Sequence, residues 1–110
     1  MDGLRERLKR FSADRDWEKF HKPKDLAVSV SIEAAELLEL FQWLPDDSAI
    51  DEDMKANIAN EASDVLMYLI LLCDNSGIDL LAAANAKIDR NEERFPVGTS
   101  RGVAKPRKGT

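Results

Sequence analysis

The chain has 110 residues, 44% hydrophobic, 34% charged and 6% aromatic, which describes one globular domain rather than a disordered segment. Its net charge of −5 argues against general affinity for nucleic-acid polymers, and its single cysteine, Cys73, excludes a disulfide framework within the chain. Val97 to Thr110 holds Arg101, Lys105, Arg107 and Lys108 without an acid, so residues 1–96 carry 12 bases against 21 acids and suit cations better than bare phosphates.

Four helical segments follow from the apolar periodicity, with no convincing strand. The first is expected over about Gly3 to Phe20, where Leu4, Leu8 and Phe11, continued by Arg15, form a stripe at i, i+4, i+7. A second starts near Pro23, which suits a first helical turn, and runs to about Trp43, stopping before Pro45. A third spans Glu52 to Asn75, with Ser48 or Asp51 as its cap and Gly77 beyond its end. Its second half, V-L-M-Y-L-I-L-L-C, is apolar all round, as in a helix buried on most sides. The fourth opens at Asp79 and runs to Pro96. The fold class expected is all-α, a four-helix bundle-type domain over residues 1–96, with 97–110 as a basic, flexible tail.

The N-terminus lacks the apolar run of a signal peptide, and the longest apolar run, Val65 to Cys73, is too short to cross a bilayer. The expectation is a soluble, cytoplasmic protein with no membrane partner. The third helix is too apolar for a lone domain of this size, so a homo-oligomer is expected.

Two helices carry acids where apolar side chains belong. On the second, Leu26, Val30, Leu37, Leu40, Phe41 and Leu44 share a face that also contains Glu33, with Glu36 at its edge. On the third, Met54, Val65, Tyr68 and Leu72 lie within roughly 40° of Glu61 on the helical wheel, and Asp64 sits at the edge. Glu39 turns further from the core face and reads as a surface or outer charge. An isolated E-x-x-E pair is usually a solvated face. Two such pairs lie on separate core faces; if the two helices face one another four carboxylates converge, and such a cluster needs cations to neutralise it. Oxygen ligands without a cysteine or histidine pair point to a hard ion, Mg²⁺ or Mn²⁺, sharing its shell with substrate phosphates.

The runs E33-A-A-E36 and E61-A-S-D64 resemble the E-x-x-E…E-x-x-D signature of the MazG-like, all-α nucleoside triphosphate pyrophosphohydrolases. R15-D-W-E-K-F-H-K-P, E36-L-L-E-L-F-Q-W, E61-A-S-D-V-L-M-Y-L and K87-I-D-R-N-E-E-R-F-P resemble the dCTP pyrophosphatase branch, in family order from about Leu4 to Arg101. The resemblance implies hydrolysis of a dNTP, with dCTP or a modified dCTP favoured, to the monophosphate and pyrophosphate. It also implies that Glu33, Glu36, Glu61 and Asp64 hold Mg²⁺, with Mn²⁺ as a substitute, and Glu36 is the chosen group to position water. Relatives resembling this chain assemble as dimers or as tetramers built from pairs of dimers, and the tetramer is favoured here. Uracil- and purine-preferring relatives share the acids, so the base stays open.

Lys87, Asn91 and Arg94 stand at i, i+4, i+7 on the fourth helix. They read either as a solvated face or, as the resemblance implies, as contacts to the triphosphate. Trp17 and Trp43 flank the acidic helix and read as helix-end or interface packing, or as walls of a base pocket. The resemblance favours the pocket, with Tyr68 beside the sugar and His21 either lining the pocket or playing a structural part. E18-x-x-H21 superficially matches a di-iron motif, but those bundles need two histidines and the chain has one. The alternative to an enzyme is a non-catalytic helical oligomer that binds nucleotide or a protein partner and keeps metal for stability.

Overall fold

The computed structural model describes residues 2–104, and every regular element among them is helical. In chain order these are α1 (Asp2–Asp14), a 3₁₀ turn (Glu18–Phe20), α2 (Pro23–Glu39), α3 (Glu52–Asn75), α4 (Leu80–Arg94) and the single turn α5 (Val97–Ser100). Residues up to Ile78 form one compact unit, and those from Asp79 onward form another.

The local signals that begin and end these helices are visible in the backbone. Pro23 occupies the first turn of α2, and the Asp51 carboxylate caps α3 by accepting the Met54 N–H at 2.8 Å. Asp79 does the same for α4, accepting from the Ala82 N–H at 3.0 Å. Gly77, at φ 70°, ends α3: the Ile78 N–H reaches the Cys73 carbonyl at 2.8 Å and the Gly77 N–H reaches that of Asp74 at 3.3 Å. Those paired bonds around a left-handed residue make a Schellman cap.

Two helices stop sooner than their periodicity predicts. α1 ends at Asp14 rather than Phe20, because Asp16 takes the left-handed conformation at φ 53°. The Trp17 N–H then bonds the Ser12 carbonyl at 3.0 Å and the Asp16 N–H bonds that of Ala13 at 3.0 Å, the same Schellman pattern without a glycine. Aspartate tolerates this conformation better than most side chains. α2 ends at Glu39 rather than Trp43, and the chain continues to Leu44 through bonds to the third preceding residue, as in Phe41 N–H to Leu38 O at 2.9 Å. Pro45 disfavours helical geometry at Leu44, so the last turns tighten and unwind. Phe41 and Leu44 leave the core stripe and are partly exposed.

α2 packs along α3, and α1 packs against α3 more lightly. The deepest apolar residues are Leu26 of α2 and Ile70 and Leu71 of α3. The sequence stripes survive packing: Val30, Glu33 and Leu37 on α2 are half-buried, as are Met54, Ile58, Glu61, Val65, Tyr68 and Leu72 on α3. Cys73 is half-buried with them. α1 is tied to α3 by Asp74, whose oxygens lie 3.3 Å from Arg5 and 3.8 Å from Lys9. α3 as a whole is long and apolar enough to cross a bilayer by length and composition, although Val65 to Cys73 alone is not. Val97–Ser100 forms a helical turn within the stretch expected to be a loose tail, while Lys105, Arg107 and Lys108 lie outside the described residues.

Candidate active site

The α2–α3 seam brings the misplaced acids together. Glu33, Glu61 and Asp64 each offer one carboxylate oxygen, and these atoms all lie within 4.8 Å of one another. Helical spacing explains the composition of the group, since residues three apart project from one side. All three residues are half-buried, whereas Glu36 stays exposed beside Glu33.

The electrostatics of this seam are unfavourable by themselves. Glu33 is pushed up from 4.5 to about 7, first by the hydrogen bond its protonated form makes with Glu36, then by burial, then by the charges of Glu36, Asp64 and Glu61. Glu61 is raised too, first by burial and then by the charges of Glu36 and Asp64. Moreover, Glu33 Oε2 and Glu61 Oε2 are buried and have no hydrogen-bond partner. An acceptor shut off from water without a partner is destabilising, the more so when it is charged. Two orphaned oxygens facing a cluster of acids fit a divalent cation, and an all-oxygen donor set favours a hard one.

A cleft of about 430 Å³ opens beside the acids, and Asp64 belongs to both. Its walls come largely from α1 (Leu4, Leu8, Phe11) and α3 (Met67, Tyr68, Leu71), with Trp17 and His21 from the connection between α1 and α2. The Phe11 and Trp17 rings meet edge to face, with centroids 5.7 Å apart at 74°. The Arg15 guanidinium covers Phe11 at 3.7 Å from its ring centre, and Trp17 and Tyr68 line the same cleft. A smaller cleft of about 210 Å³ shares Trp17, His21 and Tyr68 and adds Phe20, Asp25 and Ser29.

Of the residues singled out in the sequence, Trp17, His21 and Tyr68 thus line one cleft, and Asp64 joins that cleft to the acids. Trp43 does not line it. That side chain is 86% exposed, because α2 unwinds before reaching it. Lys87, Asn91 and Arg94 all fall on α4 as expected, with Asn91 half-buried and the Arg94 guanidinium 5.1 Å from the Phe95 ring centre. The sequence reading missed Arg7 and Phe11 as cleft residues. The available signal was the α1 stripe itself, which read as core and instead forms a wall.

Comparison with known proteins places the chain in a family. The chain is 40% identical over 108 residues to dCTP pyrophosphatase 1 of Bos taurus, and 36% identical over 105 residues to that of Homo sapiens. These alignments cover 94% and 92% of the chain, which spans 64% and 62% of the length of those relatives. The crystal structure of a pyrophosphatase from Archaeoglobus fulgidus superposes with a TM-score of 0.78 at 42% identity, covering 87% of this chain and 92% of that one. The family model for MazG-like proteins matches residues 28–108, a stretch that contains all four acids of the seam, and the chain belongs to the MazG-like family.

Proposed function

We propose that this protein is a Mg²⁺-dependent nucleoside triphosphate pyrophosphohydrolase that converts a dNTP, dCTP or a modified dCTP foremost, to the monophosphate and pyrophosphate. The observation that carries the reading is the convergence of Glu33, Glu61 and Asp64 oxygens, two of these residues with orphaned buried atoms, at the edge of an aromatic cleft. The names of the relatives, dCTP pyrophosphatase 1 and a pyrophosphatase, support the same substrate class.

Glu33, Glu61 and Asp64, with Glu36 beside them, would hold the metal. A divalent cation bound there supplies charge neutralisation for phosphate oxygens and favours the transition state of phosphoryl transfer. Glu36 is the exposed acid of the set, so it is the one open to water and the residue assigned to position the attacking water and accept its proton. Cleavage of the α–β anhydride link then releases pyrophosphate and leaves the nucleoside monophosphate. Trp17 and Tyr68 sandwich or flank the base and sugar, since base–aromatic stacking needs only a flat π-face. Lys87, Asn91 and Arg94 of α4 are assigned to the triphosphate on the resemblance of K87-I-D-R-N-E-E-R-F-P alone, a guanidinium being suited to paired contacts with phosphate.

Assembly belongs to the same proposal. Ile32 and Leu38 of α2 are 53% and 66% exposed, an unusual load of apolar surface for a small domain. A homotetramer, or at least a dimer, would cover it and could bring Trp43 to a neighbouring cleft. The apolar character of α3 then reflects core and interface in a cytoplasmic protein with no membrane partner, since Glu61 and Asp64 sit mid-helix among the acids of α2.

The test is incubation of the purified protein with Mg²⁺ and each dNTP, followed by separation of products. dCMP and pyrophosphate from dCTP are expected. Nucleotide binding without products would favour the non-catalytic oligomer, and release of orthophosphate with dCDP would indicate a different reaction.

A further inference from the structure

The cleft beside the acids contains one permanently charged group that the proposed chemistry does not use. Arg7 of α1 lines it, set among Leu4, Leu8 and Phe11 on the same wall. Three of the basic residues near it have partners: Arg5 and Lys9 pair with Asp74, and Arg15 lies over Phe11 while donating to the Phe11 carbonyl at 3.0 Å. Among the described residues no acid is in ion-pair range of Arg7.

We infer that Arg7 is the residue that selects the base, its guanidinium donating to the O2 and N3 atoms of cytosine in the cleft. This rests on the reading above that the ligand is a nucleotide whose phosphates lie at the acid cluster. The metal-binding acids come from α2 and α3, so the phosphate end of the substrate belongs there. Away from Asp64 the remaining walls are largely aliphatic and aromatic, which suits a base, and their other polar side chains, Ser12, His21 and Tyr68, bring no paired donors to read two adjacent acceptors on its edge. Arg7 supplies that reading. A guanidinium presents parallel N–H donors in a fixed plane, and cytosine presents two adjacent acceptors, O2 and N3. Uracil and thymine carry a hydrogen on N3, which sets donor against donor. A fork facing the Watson–Crick edge therefore prefers cytosine, as an arginine fork prefers the paired acceptors of guanine in DNA. A lysine at the same place would keep the charge and lose the paired geometry.

The experiment measures two things on the full chain and on Arg7→Leu and Arg7→Lys. Calorimetric titration with dCMP and dUMP reads base recognition without turnover, and kcat/KM for dCTP and dUTP with Mg²⁺ reads it during reaction. Arg7 is exposed on its helix, so both variants should fold, which circular dichroism checks. The wild type should bind dCMP more tightly than dUMP. Both variants should lose about ten- to a hundredfold in dCMP affinity, the worth of one good bidentate base contact, while dUMP affinity moves less than about threefold. A parallel loss for both nucleotides would make Arg7 a phosphate contact and overturn the proposal. Unchanged binding, retained selectivity in Arg7→Lys, or a wild type that does not distinguish the two bases would overturn it equally. Absence of turnover in a wild type that still selects dCMP would instead count against the pyrophosphohydrolase reading alone.

Discussion

Glu33 on α2 and Glu61 on α3 face one another across the helix seam, each with an oxygen within 4.8 Å of the other's and of Asp64's, and each with its Oε2 buried and unpaired. Neither residue can be understood from its own helix. Each is an acid on an apolar stripe, and together their oxygens form a group that could hold a cation.

Replacing either acid by glutamine separates function from folding. Glu33→Gln and Glu61→Gln should each lower pyrophosphate release from dCTP by at least about a hundredfold, the usual scale for losing a key electrostatic group. Without metal, both variants should melt at or above the wild-type temperature, because the repulsion among the acids falls. Adding Mg²⁺ should raise the melting temperature of the wild type by more than that of either variant. Magnesium-dependent turnover at the wild-type rate in the double variant would refute the ligand assignment.

The raised carboxyls set the sign of the pH dependence. Glu33 titrates near 7 in the folded protein against 4.5 ordinarily, so between those values the folded chain holds a proton that the unfolded chain has released. Its contribution to stability is present below about 4.5 and is lost as pH rises through about 7. Glu61 acts in the same direction. In EDTA the wild type should therefore fall in melting temperature relative to Glu33→Gln between pH 5 and pH 8. Saturating Mg²⁺ should reverse the trend, since metal binding displaces the proton. Parallel pH profiles for wild type and variant would show that the seam does not titrate in this range.

The Asp74 clasp holds the cleft wall in place. Its carboxylate meets Arg5 at 3.3 Å and Lys9 at 3.8 Å, and α1 contributes little else that is buried beyond Ser12. Asp74→Asn should cost only about 0.5–1 kcal/mol, as partly exposed pairs do. Hydrogen exchange in α1 should speed up more than in α3, and salt should produce a similar effect in the wild type. Equal changes in both helices would place the effect elsewhere.

Self-association can be tested on the outer face of α2. Light scattering of the wild type at micromolar concentration should give a multiple of the monomer mass, a tetramer foremost. Ile32→Lys with Leu38→Lys should reduce that mass while leaving circular dichroism intact, because both side chains are largely exposed in the single chain. A monomeric wild type would contradict the assembly.

Much of this molecule is legible in its sequence because much of it is local. The periodicity of α3, its cap at Asp51, its end at Gly77 and the start of α4 at Asp79 all follow from short-range signals, and the structure keeps each of them. Less legible were the ends of α1 and α2. Phe11 and Arg15 continue the helical spacing of α1, yet Asp16 turns left-handed, and a single backbone angle outweighs a periodic pattern. The loss of Trp43 from the end of α2 has another local origin, a tightened turn ahead of Pro45.

The amino-acid sequence by itself determined that this is an all-helical chain with two acid pairs on apolar stripes, because helical spacing alone assigns residues to faces. Only the tertiary structure decided that Glu33, Glu61 and Asp64 form the inner group while Glu36 remains at its edge. It also decided that Arg7 and Phe11 join Trp17, His21 and Tyr68 around one cleft. Both outcomes depend on how separate helices pack, and the relative rotation of two helices is written in no single segment of the chain.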